Sequence, residues 1–373
     1  MKIAILHEMF VKLGWAENVV DTFLEIYPEA DLFTLIYDEK KVGEKFPKNK
    51  INSQVFSLTT QKIYNLTKKQ RLCLPYMASS IEKLDFSEYD IVLCSSSGFA
   101  HWAITKPETK FIVYYHSPSR YLWDYTNEYK KSIWFSSWLK AYFLNKLFLK
   151  LRIWDYMASA RSDIPLIASK HAWKRIKKYY RRNDYQVVYP PVETEKFINH
   201  KIWEKKEEYY ITIAALTEWK RVDIAINTFN KTPEKKLKII WIWDYENNLK
   251  KMTKSKNIEF LWYKSWKELT NYLKNAKGFI FCSQEDFWIA PVEAMACWIP
   301  ILWLWSWGLT ETNIEWITWE FFLDSNWKDF LEKFLEFDKN IDNKKYDSEK
   351  IVENAKKFSK QNFVKQIKKI VEN

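Results

Sequence analysis

Short apolar runs alternate with longer helical patterns along almost the whole chain, and this alternation limits the fold more than any other feature. A first series reads as strands: KIAIL near the start, DLFTLI at 31–36, DIVLC at 90–94, FIVYY at 111–115, PLIA at 165–168 and QVVY at 186–189. AENVVDTFLEIY after Trp15 and the stretch from Ser136 to about Ala160 read as helices between them. A second series begins near Tyr209 with YYITIAAL and continues with LKIIWIW, NIEFL, GFIFC and IPILWLW. Strand and helix in alternation imply parallel sheets covered on both faces, so two series imply an α/β chain of two doubly wound domains. The length of 373 residues exceeds what one core usually supports, and a hydrophobic content of 47% can fill two.

The break falls in YPPVETEKF at 189–197, where Pro190 and Pro191 cannot continue a central strand and the polar stretch NHKIWEKKEE follows. The expected division is a first domain over 1–190, a second over 191–350, and a segment 351–373 whose helix, KFSKQNFVKQIKKIVEN, returns to the first domain. Open α/β sheets bind ligands at the carboxyl ends of their strands, so two such domains are expected to face a central cleft.

Composition raises a difficulty for that architecture. The chain has 21 Trp and only 5 Gly, 26 in all, whereas average usage would give roughly 26 Gly in a chain of this length. Losing that much Gly leaves turns without their usual φ > 0 residue. Some bacterial lineages read the UGA codon as Gly, and translating it as Trp produces this pattern; a truly aromatic-rich protein is the alternative. The net charge of +12 and pI near 9.1 imply an anionic partner: nucleic acid, phosphorylated small molecule or membrane surface. Cys73, Cys94, Cys282 and Cys297 show neither metal spacing nor a disulfide framework, which fits reduced thiols in a cytoplasmic protein. The apolar run of MKIAILHEMF is too short for a signal-peptide core, and no run is long enough to span a bilayer.

The sharpest constellation is Glu285 and Glu293 in EDFWIAPVEAMACWIP. Glu285 follows the strand GFIFC and Glu293 sits in the first turns of the next helix. Two carboxylates presented there can accept hydrogen bonds from the hydroxyls of a sugar and a ribose. The blander reading is a solvated Glu285 and a Glu293 that merely favours the helix amino end.

Reading Trp288, Trp298, Trp303, Trp305 and Trp307 as Gly turns residues 285–312 into EDFGIAPVEAMACGIPILGLGSGGLTET. In that form the stretch resembles the donor-site signature of glycosyltransferase family 4, retaining enzymes of the GT-B fold. LGWAENVV at 13–20, IIWIWDYENNL at 239–249 and IEWITWEFF at 314–322 extend the resemblance when Trp15, Trp241, Trp243, Trp316 and Trp319 are read the same way. YYHSPSRYLWDY at 114–125 and VVYPPVETEKF at 187–197 match unaltered, and look like the branch that includes mannosyltransferases of surface polysaccharide and lipopolysaccharide assembly. Trp123 and Trp154 fit that pattern as aromatics; Trp138, Trp219, Trp266 and Trp327 stay undecided.

The resemblance implies two Rossmann-like domains and transfer of a hexose, mannose first, from GDP-mannose or a UDP-hexose to a glycan or lipid-linked acceptor with retained configuration. It implies donor contacts at Gly14, Trp15, Lys220, Arg221, Glu285, Phe287, Trp288, Ile289 and Glu293. Lys220 with Arg221 would neutralise the departing diphosphate, and Glu285 would orient the sugar. His116, at the end of FIVYY, would touch the transferred sugar, with Arg120 and Tyr121 shaping the acceptor side. The residues expected to carry catalysis are therefore His116, Lys220 and Glu285. His7 and Glu8 end the first strand near the same place; His101 and His171 are read as structural. One departure is Ala215, where many relatives carry Arg five residues before the Lys. Neither a cofactor nor a metal is expected, because basic residues and backbone amides manage the diphosphate in this fold.

WLKAYFLNKLFLKLRIWDYM at 138–157 mixes apolar residues with Lys140, Lys146, Lys150 and Arg152, as a helix lying on an anionic lipid surface would, or as a core helix with a basic solvated face would. The expected location is cytoplasmic, peripheral on the inner face of the plasma membrane. Two other classes fit parts of the pattern. A sugar-nucleotide epimerase of the same fold would share the donor cleft, and a nucleic-acid-binding protein would use the charge and the aromatics. No nucleic-acid-binding motif is found, so nucleic acid is not an expected partner.

Overall fold

The computed structural model describes residues 1–127, 138–198, 206–215, 220–242, 246–262, 264, 266–282, 289–304, 319–322 and 327–372. The chain divides into two compact units, Met1–Pro190 with Phe363–Asn373, and Pro191–Asn362.

The first unit is built on six parallel strands: β1 (Ile3–Phe10), β2 (Asp31–Tyr37), β3 (Ile91–Ser96), β4 (Lys110–Tyr115), β5 (Ile164–Ile167) and β6 (Gln186–Val187), in the order β2-β1-β3-β4-β5-β6. Helices α1 (Trp15–Ile26), α2 (Thr59–Thr67), α3 (Trp138–Ala158) and α4 (Lys170–Tyr180) connect them. The strands read as unbroken apolar runs because both faces are covered. Along β3, Val92 and Cys94 enter one core while Ile91 and Leu93 enter the other; β4 does the same with Phe111 and Val113 against Ile112 and Tyr114. β6 is shorter than the expected QVVY, and only Gln186 and Val187 pair with Leu166 and Ile167.

The second unit repeats the plan with β7 (Tyr209–Ala215), β8 (Lys236–Ile242), β9 (Ile258–Leu261), β10 (Gly278–Phe281), β11 (Ile301–Leu304) and β12 (Trp319–Phe322), in the order β12-β11-β10-β7-β8-β9. Its longer helices are α5 (Val222–Phe229), α6 (Glu246–Met252), α7 (Trp266–Asn275), α8 (Ile289–Ala296), α9 (Trp327–Asp342) and α10 (Ser348–Lys356). The strand β12 is a finding the sequence pattern did not suggest. Gly278 opens β10 where a Cβ would lie 2.9 Å from Cε1 of Tyr210 and 3.0 Å from the Phe337 ring, so any larger residue would push sheet and helix apart.

The last helix, α11 (Lys360–Glu372), corrects the expected third segment. Residues 351–362 stay with the second unit, where Val192 pairs with Ser359 and Lys360 meets Glu193 at 3.0 Å. The return begins only at Phe363. Phe363, Ile367 and Val371 are spaced four apart on one helix face and all enter the first unit's core, Phe363 stacking on Phe23 at 5.8 Å.

A charge cluster centred on the buried Lys277 and Asp338 fastens the amino ends of β7 and β10. Lys277 Nζ lies 2.8 Å from Asp338, 2.7 Å from Asp342 and 3.2 Å from Glu208, while Lys235 Nζ reaches Asp338 at 2.5 Å and the Tyr210 hydroxyl donates to Asp338. Burial alone would raise the Asp338 carboxyl, but hydrogen bonds from Lys235, Lys277 and Tyr210 outweigh it and hold the group below its ordinary value. Removing one partner strands the others, so Asp338→Ala is expected to destabilise the second unit by about 3 kcal/mol. Because the folded-state value is depressed, the stabilisation is present above the ordinary carboxylate pKa of about 3.9 and fades as pH falls below it. Urea unfolding at pH 7 and pH 3 checks both, and an unchanged midpoint in Asp338→Ala at pH 7 would contradict the cluster's role.

Candidate functional site

Each sheet reverses its strand order once, and each reversal carries a group of polar residues. In the first unit β1 has β2 on one side and β3 on the other, so the crossovers leave in opposite directions and open a crevice beyond the carboxyl ends of β1 and β3. His7 and Ser95 are register partners there, and His116 follows β4, its backbone N–H donating to the Ser96 carbonyl at 2.8 Å.

His116 is buried. Its Nε2 lies 2.8 Å from Ser95 Oγ, and the Trp15 indole stands perpendicular to its ring with centroids 4.8 Å apart. Burial and the charge of nearby His7 push the His116 pKa down to about 3, so its imidazole is neutral near pH 7. For His7, burial opposes the charged form, but the attraction of the Glu17 carboxylate 3.7 Å away, with Glu8 adding to it, more than compensates and holds its pKa above the ordinary value.

Glu8, on β1, is committed to the loop that follows β3. Its carboxylate accepts backbone N–H groups from Ser97 at 2.6 Å, from Phe99 at 2.9 Å and from Gly98, together with the hydroxyls of Ser96 and Ser97. Those bonds shape the turn after β3, and Ser119 Oγ then ties the His116 loop to it through the Gly98 carbonyl at 3.1 Å. Gly14 caps α1 in extended backbone, and a Cβ there would lie 2.9 Å from Glu17 Oε2. Arg120 sits over the Tyr125 ring at 5.7 Å, and Tyr121 packs its ring 5.8 Å from Phe99. Thus Gly14, Trp15, His116, Arg120 and Tyr121 all lie at the carboxyl edge of this sheet. His101 bonds Ser96 Oγ at 2.9 Å and faces Asp155 at 3.1 Å, a buried packing role.

In the second unit the order reverses between β7 and β10. Arg221 stands at the amino end of α5, just after the half-buried Lys220, with its guanidinium against Asp223 at 3.1 and 3.2 Å. Cys282, the residue that leaves β10, is buried beside this same turn, with Asp223, Arg221 and the Ala225 backbone as its electrostatic neighbours. Ile289 opens α8, and Glu293, one turn further along, is buried deeply enough to push its carboxyl up to about 7. Glu285, Phe287 and Trp288 lie outside the described residues.

Residues 193–358 match the family described as Glycosyl transferases group 1. The matched residues span most of the second unit. Over the whole chain the fold is similar to Anabaena HepE in complex with UDP, at 12% identity, a TM-score of 0.70 and complete coverage of both chains. A glycosyltransferase from Rickettsia africae aligns at 15% identity and TM-score 0.65, covering 100% of this chain and 99% of that one. Sucrose-phosphate synthase of Thermosynechococcus elongatus aligns at 12% identity and TM-score 0.69, covering 100% and 98%. These likenesses establish the GT-B fold, two Rossmann-like α/β domains. No curated protein matches the chain in sequence.

One backbone feature within the matched residues bears on the tryptophans. After α8, the Ile299 N–H bonds the Ala294 carbonyl at 3.2 Å and the Trp298 N–H bonds that of Met295 at 3.0 Å, the paired bonds of a Schellman ending. Trp298 is the left-handed residue of that ending, with φ 64°, where a bulky side chain is strained and glycine is usual. Trp298→Gly is expected to raise the domain's stability by about 1 kcal/mol, read as a higher urea midpoint. A lower midpoint would mean that the indole's packing outweighs the strain.

Proposed function

We propose that this chain is a retaining glycosyltransferase of family 4 that moves a hexose, mannose first, from a nucleotide sugar to a glycan or lipid-linked acceptor in surface polysaccharide synthesis. The carrying observation is the reversal of strand order between β7 and β10 within the group 1 domain, where Lys220 and Arg221 precede α5 beside the exit of β10. In this reading Lys220 and Arg221 bind the diphosphate and stabilise the charge that develops as the nucleotide leaves. Glu285 and Glu293 accept hydrogen bonds from sugar and ribose hydroxyls, Gly14, Phe287, Trp288 and Ile289 line the donor, and His116 touches the transferred sugar. The departing diphosphate takes the acceptor proton on the same face, so no carboxylate acts as a nucleophile. No metal is needed, because two basic side chains and a helix amino end already meet the anion.

That HepE was solved in complex with UDP supports trying UDP-hexoses as well as GDP-mannose as donors. The tryptophans at 15, 288, 298, 303, 305 and 307 are in this reading glycines encoded by UGA, and the left-handed Trp298 supports that. Trp15 standing edge-on over His116 supports it too, since a glycine would clear the space a donor approaches.

Helix α3 supports a membrane-bound acceptor. It exposes Tyr142, Phe143, Leu149, Ile153 and Met157 along with Lys146 and Lys150, and buries its one acid, Asp155. An apolar face with basic side chains and no exposed acid suits an anionic lipid surface. Among the described residues no helix is long and apolar enough to cross a membrane.

The test incubates the protein, with glycine at those six positions, with labelled GDP-mannose or UDP-glucose, EDTA and anionic vesicles carrying lipid-linked glycan. The expected outcome is hexose transfer with retained anomeric configuration, lost on Lys220→Ala, and vesicle binding weakened by Lys146→Glu with Lys150→Glu. Epimerised donor without transfer would mean an epimerase; an inverted product, a requirement for divalent ions or unchanged vesicle binding would each remove the corresponding part of the proposal.

A further inference from the structure

A buried series of four side chains crosses the carboxyl end of the first unit's sheet, and the roles above use only its last member. Glu17 Oε1 on α1 lies 3.7 Å from His7 Nε2. His7 Nδ1 lies 3.2 Å from the Ser95 carbonyl and 3.1 Å from Ser95 Oγ. Ser95 Oγ lies 2.8 Å from His116 Nε2. All four residues are at most 5% exposed, so bulk solvent contributes little to their hydrogen bonding and the proton positions follow from what each atom can do.

A carbonyl only accepts, so the His7 Nδ1 beside it must carry a proton, which it shares with Ser95 Oγ. The serine hydroxyl has one proton to give and directs it at His116 Nε2. That nitrogen is then the acceptor, and in a neutral imidazole the proton must sit on Nδ1. His116 Nδ1 is buried and has no hydrogen-bond partner among the described residues. A buried N–H without a partner costs free energy comparable to a lost hydrogen bond, which is unusual in a well-packed unit unless something else fills the gap. Glu17, Glu8 and Lys12 are the charged groups that act on this series from the neighbouring elements.

We propose that Glu17, His7 and Ser95 are positioning residues that hold His116 in the Nδ1–H tautomer and so present a fixed hydrogen-bond donor to a hydroxyl oxygen of a bound sugar. The sugar rests on the functional reading above; the tautomer does not. A preset donor costs no reorganisation when the ligand arrives, and a wrong tautomer would turn a lone pair toward the same oxygen.

The test is imidazole 15N NMR of the chain as written, free of ligand, with His101 as the internal control. The expected spectrum has His116 Nδ1 protonated and Nε2 of acceptor type, while His7 titrates above the ordinary histidine value. Ser95→Ala removes the donor to Nε2 and is expected to move His116 to an averaged mixture of tautomers, and Ser95→Thr to restore the original signals. Glu17→Gln, which keeps the shape of the side chain, is expected to lower the His7 titration midpoint and broaden the His116 preference, which covers the case in which Ser95→Ala fails to fold. In the transfer assay Ser95→Ala is expected to lower kcat/KM about tenfold, the size of one hydrogen bond. A native His116 protonated on Nε2, or one unmoved by both Ser95→Ala and Glu17→Gln, overturns the proposal whether or not any sugar is transferred. The native tautomer with no transfer from any nucleotide sugar leaves the positioning series standing and removes the glycosyltransferase reading instead.

Discussion

The reversal of strand order beside β1 and beside β7 is the constraint on which the rest depends. Parallel strands covered on both faces consume their side chains in packing and their backbone groups in ladders. What stays available is the row of loops beyond the carboxyl ends, and only at the reversal do neighbouring crossovers part far enough to admit a ligand. His7, Glu8, Ser95 and His116 collect at one such point, and Arg221 and Cys282 at the other. The opposite ends of β7 and β10 are closed by Lys277, Asp338 and Tyr210, a cluster that fastens rather than binds.

Two carboxylates in the first unit show how position decides use. Glu8 and Glu17 stand within reach of the same histidine. Glu8 spends its oxygens on three successive N–H groups of the turn after β3, and so fixes the loop against which the His116 segment rests. Glu17 faces His7 and, through it, acts on the charge at the crevice. Burial forbids either from being a spectator, since an unpaired ion there would be neutralised.

Much of this was legible in the sequence because parallel strands buried on both faces read as plain apolar runs. FIVYY and GFIFC became β4 and β10, and His116, which follows β4, stands at a site edge. The break at Pro190 was legible because two prolines cannot join a central ladder. WEFF was not legible as β12: four residues carry no period, and only pairing with β11 makes them a strand. Division of the last segment at Asn362 was hidden because the apolar spacing that returns to the first core begins only at Phe363. Ser95 was invisible among three consecutive serines, since its partnership with His7 exists only in the β1–β3 register. Glu285, Phe287 and Trp288, the most suggestive residues in sequence, fall outside the described part of the fold, so the donor side rests on Lys220, Arg221, Ile289 and Glu293.

The most direct measurement is a calorimetric titration of UDP and of GDP into the chain carrying glycine at positions 15, 288, 298, 303, 305 and 307, with and without Lys220→Ala. A diphosphate held at the reversal beside β7 by a charge-assisted contact predicts saturable binding that weakens about tenfold or more without Lys220. Absence of binding to either nucleotide, or equal affinity after Lys220→Ala, would contradict the assignment of that crevice to a nucleotide sugar.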